Sequence, residues 1–593
     1  MGAYESHLNL PQYGYDMVVA TTEQAINATV KQYLLNYEGR EFVSCYKLAP
    51  EGSDESYVPM PYEEVLAIAG MNPFTIPETE LQNDKQKEAV ARLYDKEFAF
   101  AFRADMGIPL GFPVKDIPKV IVFHKAGTEV AYNLFFKNIS VLNIEDSGRR
   151  GFRWQNLAQA YSEKAKDPWV FKFRVNLDLS SGSTSLFDSL LPAIQQKVKN
   201  LNPDSAFSVQ QLYLDLNTAL LTSDPTITGL DKSSWAYLYL TVGFIQNYYK
   251  TLKEEAKNKD NPNGNFLLGY TIKPTKPNNS SPSIIPTDLN IMISPFVDER
   301  GMATEEYNMF TLNYLVMSKD HTMPPSIPFI WNWIDDGQSS GAMAIKREVF
   351  SSFLRQTLSP SLQQLCLIPV VYVHANSVST KWNCTYQPNP DPVYYELIEE
   401  AGPRVLSIKY TATAHEKSAW LYNINEIEST VTIDSNIYLE NNQIRSVTVA
   451  NVYIWIKIWG GVTHGNLVTY SNETAYEIGV DAFGSLSAKM APGSPKFTDL
   501  SQGIDPNGWS QFVTGWQVDD LISDIKKRWV FMKDFLDGHD KSIETMLNNS
   551  GVWVFPGGKT FAFKEAKFSN FQDLTTLVTY VEPEDADLLR IKS

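Results

Sequence analysis

Three stretches of the chain alternate between apolar and polar residues, which is the pattern of a strand with one buried face. They are Trp169–Leu179, Ala206–Leu216 and Val447–Trp459. At about 3.3 Å per residue the first would be roughly 36 Å long, twice an average strand. The alternation shifts phase at Gln210-Gln211 and at Ala450-Asn451, and an extra residue of this kind is typical of a β-bulge. The pattern therefore predicts long, bent strands that curl around other elements.

Near the N-terminus the apolar residues change from a run to helical spacing. Met17–Ala20 predicts a short apolar strand, and Thr21 with Gln24 three residues later has the form of a capping box that starts a helix. A second amphipathic helix is predicted from Gly341, interrupted at Pro360. The apolar residues on these two helices are equally candidates for the core and for the lining of an apolar ligand site: Ile26, Val30, Leu34, Ile345, Val349 and Phe353.

The predicted elements follow a similar order in two parts of the chain, namely helix, long strands, helix. We therefore expect an α+β fold with two similar halves, residues 1–330 and residues 331–593. Residues 257–287 are rich in Asn, Pro, Ser and Lys and predict a mobile loop within the first half. A last long helix is predicted over about Asp519–Leu547.

Composition limits the function classes. The chain has 593 residues, 43% of them hydrophobic and 20% charged, as expected for a folded soluble protein. A net charge of −17 disfavours nucleic acid as a partner and broad adsorption to anionic membranes. The three cysteines form no zinc pattern or disulfide scaffold. Without a signal peptide or a long apolar span, a cytoplasmic location is expected, with non-classical release left open.

Few residues suggest catalysis. Residues 337–341, Gly-Gln-Ser-Ser-Gly, satisfy the nucleophile-elbow pattern, with Ser339 as the candidate nucleophile. The preceding Asp335-Asp336 does not resemble a buried strand, so a linker before a helix explains the pattern better. The aspartates from Asp519 onward and the seven histidines lack metal-ligand spacing, and Gly557–Thr560 lacks the earlier glycine of a P-loop. We therefore expect no catalytic residue, no metal and no cofactor.

Three stretches together resemble one family. They are Tyr13–Ala20 with Asn27 on the following helix, Phe329–Trp333 leading into Ala344–Phe350, and Trp553–Phe563 with its Phe-Pro-Gly-Gly-Lys-Thr-Phe segment. They are similar to the TULIP-fold (tubular lipid-binding) OrfX-type accessory proteins of clostridial neurotoxin clusters and their bacterial and fungal relatives. The resemblance implies long helices wrapped by strongly curved antiparallel sheets, often around an apolar cavity. It implies binding of lipid or another hydrophobic molecule and possible association with a toxin or a membrane, and it implies no catalytic residues.

The preferred hypothesis is a non-enzymatic protein that binds or transfers a lipid or other hydrophobic small molecule in an elongated apolar cavity. Two alternatives remain at this stage. One is a toxin-accessory or protein-interaction scaffold whose tube is filled and merely structural, with a protein or membrane partner. The other is an enzyme, either a hydrolase that uses Ser339 or a pathway enzyme, acting on an apolar substrate.

Overall fold

The computed structural model of the protein describes most of the chain. The described residues are 2–35, 41–78, 83–113, 117–181, 207–220, 226–251, 267–274, 286–335, 339–480, 486–502, 510–531 and 561–580, apart from 125, 147, 149–150, 163–164, 246, 249, 307–308, 319–320, 377–378, 422 and 459–460.

The strands of the first part of the described chain are β1 (Met17–Thr22), β2 (Phe42–Leu48), β3 (Tyr57–Met60), β4 (Phe98–Met106), β5 (Ile121–Phe123), β6 (Glu129–Leu134), β7 (Phe136–Asp146), β8 (Phe152–Ala158), β9 (Val170–Ser181), β10 (Phe207–Leu220), β11 (Thr226–Thr228), β12 (Leu267–Pro274), β13 (Pro286–Ser294) and β14 (Thr311–Ser318). Those of the second part are β15 (Gly341–Ile345), β16 (Leu367–Ala375), β17 (Thr380–Pro388), β18 (Glu396–Leu397), β19 (Arg404–Trp420), β20 (Asn423–Glu440), β21 (Gln443–Ile458), β22 (Gly461–Val480), β23 (Leu486–Met490), β24 (Lys496–Asp499), β25 (Phe561–Phe568) and β26 (Leu574–Tyr580).

The α-helices of the described chain are α1 (Glu23–Leu35), α2 (Tyr62–Ala69), α3 (Asp84–Asp95), α4 (Trp235–Leu238), α5 (Arg347–Gln363) and α6 (Ser510–Trp529). Helix α4 continues as a π-helical turn over Tyr239–Phe244. Helix α1 begins one residue later than the capping box predicts. The Thr22 side chain, not that of Thr21, accepts the hydrogen bond from the Ala25 backbone N–H at 3.2 Å.

The fold is mixed, with helices packed on antiparallel sheets. A central six-stranded sheet has the order β13-β14-β1-β15-β26-β25. A long sheet has the order β18-β19-β20-β21-β22-β23, with β24 on β22, and its strands reach 20 residues in β22. The other sheets are β12-β10-β9-β6-β5 with β11 on β9, β3-β2-β4-β7-β8, and the hairpin β16-β17. Because the central sheet combines strands from both sides of residue 330, the predicted halves share one sheet, and the division into halves remains a prediction.

The central sheet is buried on both faces. Every residue of β1 is buried, as its apolar run predicts. One face packs against the principal hydrophobic cluster, which extends through helices α1 and α5 to the long sheet. The opposite face packs against the aromatic cluster of Tyr13, Tyr15, Phe329, Trp331 and Trp333, all of which are buried. Trp331 and Trp333 are therefore core residues.

The helix predicted from Gly341 begins later than expected. Gly341–Ile345 is the strand β15, paired with β1 and β26, and helix α5 starts only at Arg347. Ile345 therefore lies on a strand. Pro360 does not interrupt α5, which continues through it to Gln363. Strand pairing on both sides of β15 outweighs the helical spacing of its apolar residues, because a short apolar run fits either structure.

The predicted bulges are misplaced. Gln210 and Gln211 pair in regular register with β12, and the irregularity falls between Leu212 and Tyr213. Strand β21 alternates without a shift, because Ser446 and Thr448 share the buried face with Ala450 and Val452. The Thr448 and Ser435 hydroxyls lie 2.7 Å apart, and this hydrogen bond allows small polar residues on an inner face. The irregularity lies instead between Val452 and Tyr453, on the side that pairs with β22.

Other predictions of elements have mixed outcomes. The strand predicted at Trp169–Leu179 is confirmed as β9. Part of the loop predicted at 257–287 is wrong, because Leu267–Pro274 is the strand β12, paired with β10. The rest of that loop up to 285, the C-terminal part of the helix predicted to Leu547, and Gly557–Thr560 lie outside the described residues.

Candidate ligand-binding cavity

A cavity of about 510 Å³ lies where the central sheet meets the start of helix α5. Each wall comes from a different part of the chain, because β1 pairs with β14 on one side and with β15 on the other. The walls are formed by the residues Gly14, Asp16, Met317, His321, Thr322, Lys346, Arg347, Glu348, Val349, Ser351, Ser352, Leu397, Ile398 and Glu399. The lining therefore combines both signs of charge, hydroxyl groups and aliphatic side chains.

Asp16 organises one wall of the cavity. Its carboxylate is buried and accepts hydrogen bonds from the backbone N–H and the hydroxyl of Ser318, both at 2.7 Å. The same oxygen lies 2.8 Å from His321 Nδ1. His321 is half-exposed, so the pair presents an imidazole at the cavity surface that is held in place by a buried carboxylate.

Arg347 is a buried cation in the lining of the cavity. Its Nη2 donates to the carbonyl oxygens of Glu400, Gly402 and Arg404 at 2.9, 3.3 and 3.0 Å. Its Nε has no hydrogen-bond partner within the described part of the chain. Burial lowers the pKa of Arg347 from its ordinary value. This Nε donor is therefore shielded from solvent and unsatisfied within the described residues, a cost that a hydrogen-bond acceptor would remove.

A second buried carboxylate fixes the start of helix α5. Asp573, next to β26, accepts the backbone N–H of Arg347 at 3.0 Å, the N–H of Leu8 at 2.7 Å and the hydroxyl of Ser6 at 2.8 Å. Burial raises the pKa of Asp573 to about 6. Lys346, the residue before the helix, pairs with Glu348 at 3.0 Å. The first turn of α5 is thereby held at a defined position beside the cavity.

The aliphatic residues of the lining are Met317, Val349, Leu397 and Ile398. Val349 is one of the six residues proposed from sequence as ligand-lining. The other five, Ile26, Val30, Leu34, Ile345 and Phe353, do not line this cavity but are buried in the principal hydrophobic cluster together with Val349. Their contact with a ligand remains a prediction.

Ser339 is buried and stands two residues before strand β15. The nucleophile elbow requires a helix directly after the serine, whereas a strand follows here. Residues 336–338 lie outside the described part of the chain. The local fold around Ser339 therefore differs from that of a nucleophile elbow.

Sequence reasoning missed most of the charged residues of the cavity. Asp16, Lys346 and Arg347 stand beside buried strands, and a charged residue next to an apolar stretch is the signal that could have identified them. His321 has no such signal, because it lies in an irregular segment after β14 and approaches Asp16 only through the pairing of β1 with β14.

The described residues contain neither a metal-binding cluster nor a membrane-spanning helix. Among the described residues, no group of three His, Cys, Asp or Glu side chains is arranged to hold a metal ion. Within the same residues, no helix is long and apolar enough to cross a membrane.

Comparison with known proteins gives structural neighbours only. No family model matches the chain, and no curated protein matches it. P47 of Clostridium botulinum E1 is similar over 96% of this chain and 99% of its own, with a TM-score of 0.40 and 9% identity. P47 from Clostridium botulinum A2 is similar over 95% and 97%, with a TM-score of 0.38 and 10% identity. A lipopolysaccharide binding protein is similar over 96% and 100%, with a TM-score of 0.27 and 8% identity. Values this low establish neither a family nor a function.

Proposed function

We propose that the protein binds a lipid or another amphipathic small molecule, without catalysis, in the cavity at the start of helix α5. One observation carries the proposal: the lining of the cavity of about 510 Å³ combines the aliphatic residues Met317, Val349, Leu397 and Ile398 with the buried Arg347, whose Nε has no hydrogen-bond partner among the described residues. Ligand sites are typically apolar concavities of about 300–1,000 Å³ with a few placed polar groups. A molecule with a polar head and an apolar tail suits both kinds of lining residue.

The apolar tail is proposed to follow helix α5 inward. Val349 lines the cavity, and Phe353 lies one turn further along the same helix face. Ile345 is the last residue of β15, two residues before the helix begins at Arg347. In this proposal the chain is a TULIP-type tube, and Ile26, Val30 and Leu34 of α1 extend its apolar lining. The long strands of the sheet β18-β19-β20-β21-β22-β23 and the register shift in its β21–β22 pairing support that architecture.

A second candidate function is that of a protein-interaction scaffold whose interior is filled. The observation in its favour is the close packing of the predicted lining, since Leu34, Ile345 and Phe353 are all buried in a core that the protein itself supplies. In this case apolar molecules would bind weakly, and the surface would carry the function.

Ligand uptake separates the two candidates. Protein purified gently is analysed by native mass spectrometry before and after organic extraction, and the extracted protein is titrated with dansyl-undecanoic acid. Ser352→Trp places an indole in the cavity from a half-buried position, and Gln356→Trp places the same group on the exposed side of α5.

We expect bound mass on the wild-type protein, saturable dansyl fluorescence, and affinity reduced by about tenfold or more in Ser352→Trp alone, because the indole occupies the volume of the tail. Circular dichroism melting confirms that both variants are folded. Absence of bound lipid together with no saturable uptake by the wild type would exclude the ligand-binding function and favour the scaffold.

A further inference from the structure

The turn between β19 and β20 exposes large apolar side chains at the end of a long hairpin. The two strands pair from Arg404↔Tyr438 to Trp420↔Asn423. Trp420, Leu421 and Ile424 are 42%, 79% and 45% exposed. We name these three residues the hairpin tip. The register places Trp420 and Ile424 on opposite faces of the hairpin, with Leu421 at its end between them. Apolar side chains around a turn, where loops are normally polar, indicate a surface that contacts something apolar.

The backbone conformation at the hairpin tip does not explain why residue 421 is a leucine. Leu421 has φ +54°, in the left-handed region that glycine and asparagine occupy at tight hairpin turns. A leucine there combines an unfavourable backbone conformation with an almost fully exposed side chain. Asparagine would satisfy the same turn without either penalty. The leucine therefore requires a reason outside the folded chain.

A polar collar lies directly behind the hairpin tip. Glu426 accepts a hydrogen bond from Lys457 at 3.0 Å and lies 3.2 Å from His415 Nε2. Lys417, in register with Glu426, is exposed on the same hairpin. The Ala375 N–H donates to the Ser418 hydroxyl at 3.0 Å and so braces the hairpin two residues before Trp420. The hairpin tip is thus short, is held by the Ser418 hydrogen bond, and is followed along the hairpin by charged side chains.

These features point to a lipid surface as the partner. Tryptophan concentrates at the boundary between lipid and water, where aliphatic neighbours enter the acyl region and charged groups remain outside. Three exposed side chains at the end of one hairpin cannot supply the roughly 800 Å² per partner of a stable protein interface. A net charge of −17 gives no general attraction to anionic lipid. The geometry points to docking on a zwitterionic bilayer by insertion of Trp420, Leu421 and Ile424.

Membrane docking does not depend on the proposed cavity function, because the hairpin tip and the cavity share no residue. It complements that function, since an amphipathic ligand resides in membranes. Ser352→Trp leaves the hairpin tip unchanged, so the failure of one proposal is distinguishable from the failure of the other.

The test is partition of the full chain onto vesicles of phosphatidylcholine, measured by co-sedimentation. Leu421→Asn removes the most exposed side chain and suits the turn, so the variant retains its fold. Leu110→Asn is the matched control, because Leu110 is 61% exposed in another part of the surface. We expect Leu421→Asn to need about tenfold more lipid for half-maximal binding, as the burial of one leucine side chain implies. Leu110→Asn is expected to bind as the wild type does.

A second measurement reports insertion directly. A nitrobenzoxadiazole group attached to Leu421→Cys is expected to brighten and shift to the blue when phosphatidylcholine vesicles are added. The native cysteines do not compete for the label, since all three are buried and burial raises the pKa of Cys45 and of Cys366 to about 12.

Three results would overturn the proposal: equal vesicle binding by the wild type and Leu421→Asn, emission of the label that vesicles do not change, or binding that requires phosphatidylserine and ignores the substitution. A fourth is a concentration-dependent dimer of the wild type, seen by light scattering without lipid, that Leu421→Asn dissociates. That outcome would assign the hairpin tip to a second copy of the chain.

Discussion

The backbone N–H of Arg347 donates a hydrogen bond of 3.0 Å to Asp573, which lies 226 residues further along the chain. Through the same carboxylate, helix α5 is joined to Ser6 and Leu8 near the N-terminus. One buried aspartate thus connects three distant segments beside the cavity, and its ionisation influences the stability of that region.

We predict a pH-dependent stability difference between the wild type and Asp573→Asn. Burial raises the pKa of Asp573 to about 6, so the folded protein holds this proton more tightly than the unfolded chain does. The contribution of Asp573 to the free energy of unfolding is therefore complete below about pH 4 and is lost as the pH rises through 6. The loss amounts to as much as about 3 kcal/mol. Urea unfolding of both proteins from pH 4.5 to 7.5 measures it.

The difference between the free energies of unfolding of the wild type and Asp573→Asn isolates the effect of Asp573, because both proteins share all other titrating groups. A wild-type advantage over Asp573→Asn that grows with pH would show that the three hydrogen bonds outweigh burial and lower this pKa instead.

Asn27→Leu is expected to destabilise the protein by about 3–5 kcal/mol. The Asn27 amide joins helix α1 to β5, because it donates to the Ile121 carbonyl at 2.8 Å and accepts from the N–H groups of Val120 and Ile121 at 2.7 and 3.0 Å. Leucine has a similar size but leaves these buried backbone groups without partners. Gln24→Leu, at an exposed position on the same helix, should change the free energy of unfolding by about 0.5 kcal/mol or less. Equal effects in urea unfolding would contradict the role of the amide.

Gly341→Ala is expected to cost about 2–3 kcal/mol, whereas Gly479→Ala should be nearly neutral. A Cβ on Gly341 would overlap the Ala20 carbonyl oxygen of the neighbouring strand and lie 3.0 Å from Val578 Cγ2. A Cβ on Gly479, in β22, meets no atom within 4 Å. Thermal melting compares the two. The close approach of the strands explains why Gly341, the second glycine of the Gly-x-Ser-x-Gly pattern, is a glycine. A Gly341→Ala protein as stable as the wild type would contradict this explanation.

Arg347→Met is expected to weaken binding of dansyl-undecanoic acid by about tenfold and that of its methyl ester by less than about twofold. In the proposed function the Arg347 side chain, whose Nε has no partner within the described residues, binds the acidic head group. Arg355→Met is the control, since Arg355 lies on the same helix but stacks 5.6 Å above the Tyr394 ring. Equal losses for acid and ester in fluorescence titrations would show that Arg347 only supports the fold.

The sequence predicts elements with strong periodicity and fails where tertiary pairing decides. The alternation in Trp169–Leu179 identifies β9. The apolar spacing from Gly341 suits a helix and a strand equally. Residues 341–345 form a strand because they pair with β1 and β26. In β21 an inner face that includes Ser446 and Thr448 resembles a shift of phase, because hydrogen bonds that satisfy buried hydroxyls are invisible in a hydrophobic pattern.

For the candidate site, sequence located Val349 but not the residues around it. Periodicity identifies buried faces and carries no information about which loops approach them. Asp16 and His321 stand 305 residues apart and meet only because β1 and β14 are neighbours. Polar sites built from separate strands therefore require the sheet order before they can be recognised.

The order of strands in the central sheet also governs how the protein is made. Strand β1 is synthesised first, yet its neighbours β14 and β15 emerge about 300 residues later and β26 later still. At about 5–20 residues per second the ribosome leaves β1 without partners for at least about 15 seconds. Its apolar, unpaired edges are then open to other chains. We therefore expect this segment to be prone to association during translation, and a chain that ends before Phe561 leaves β15 without its partner β26.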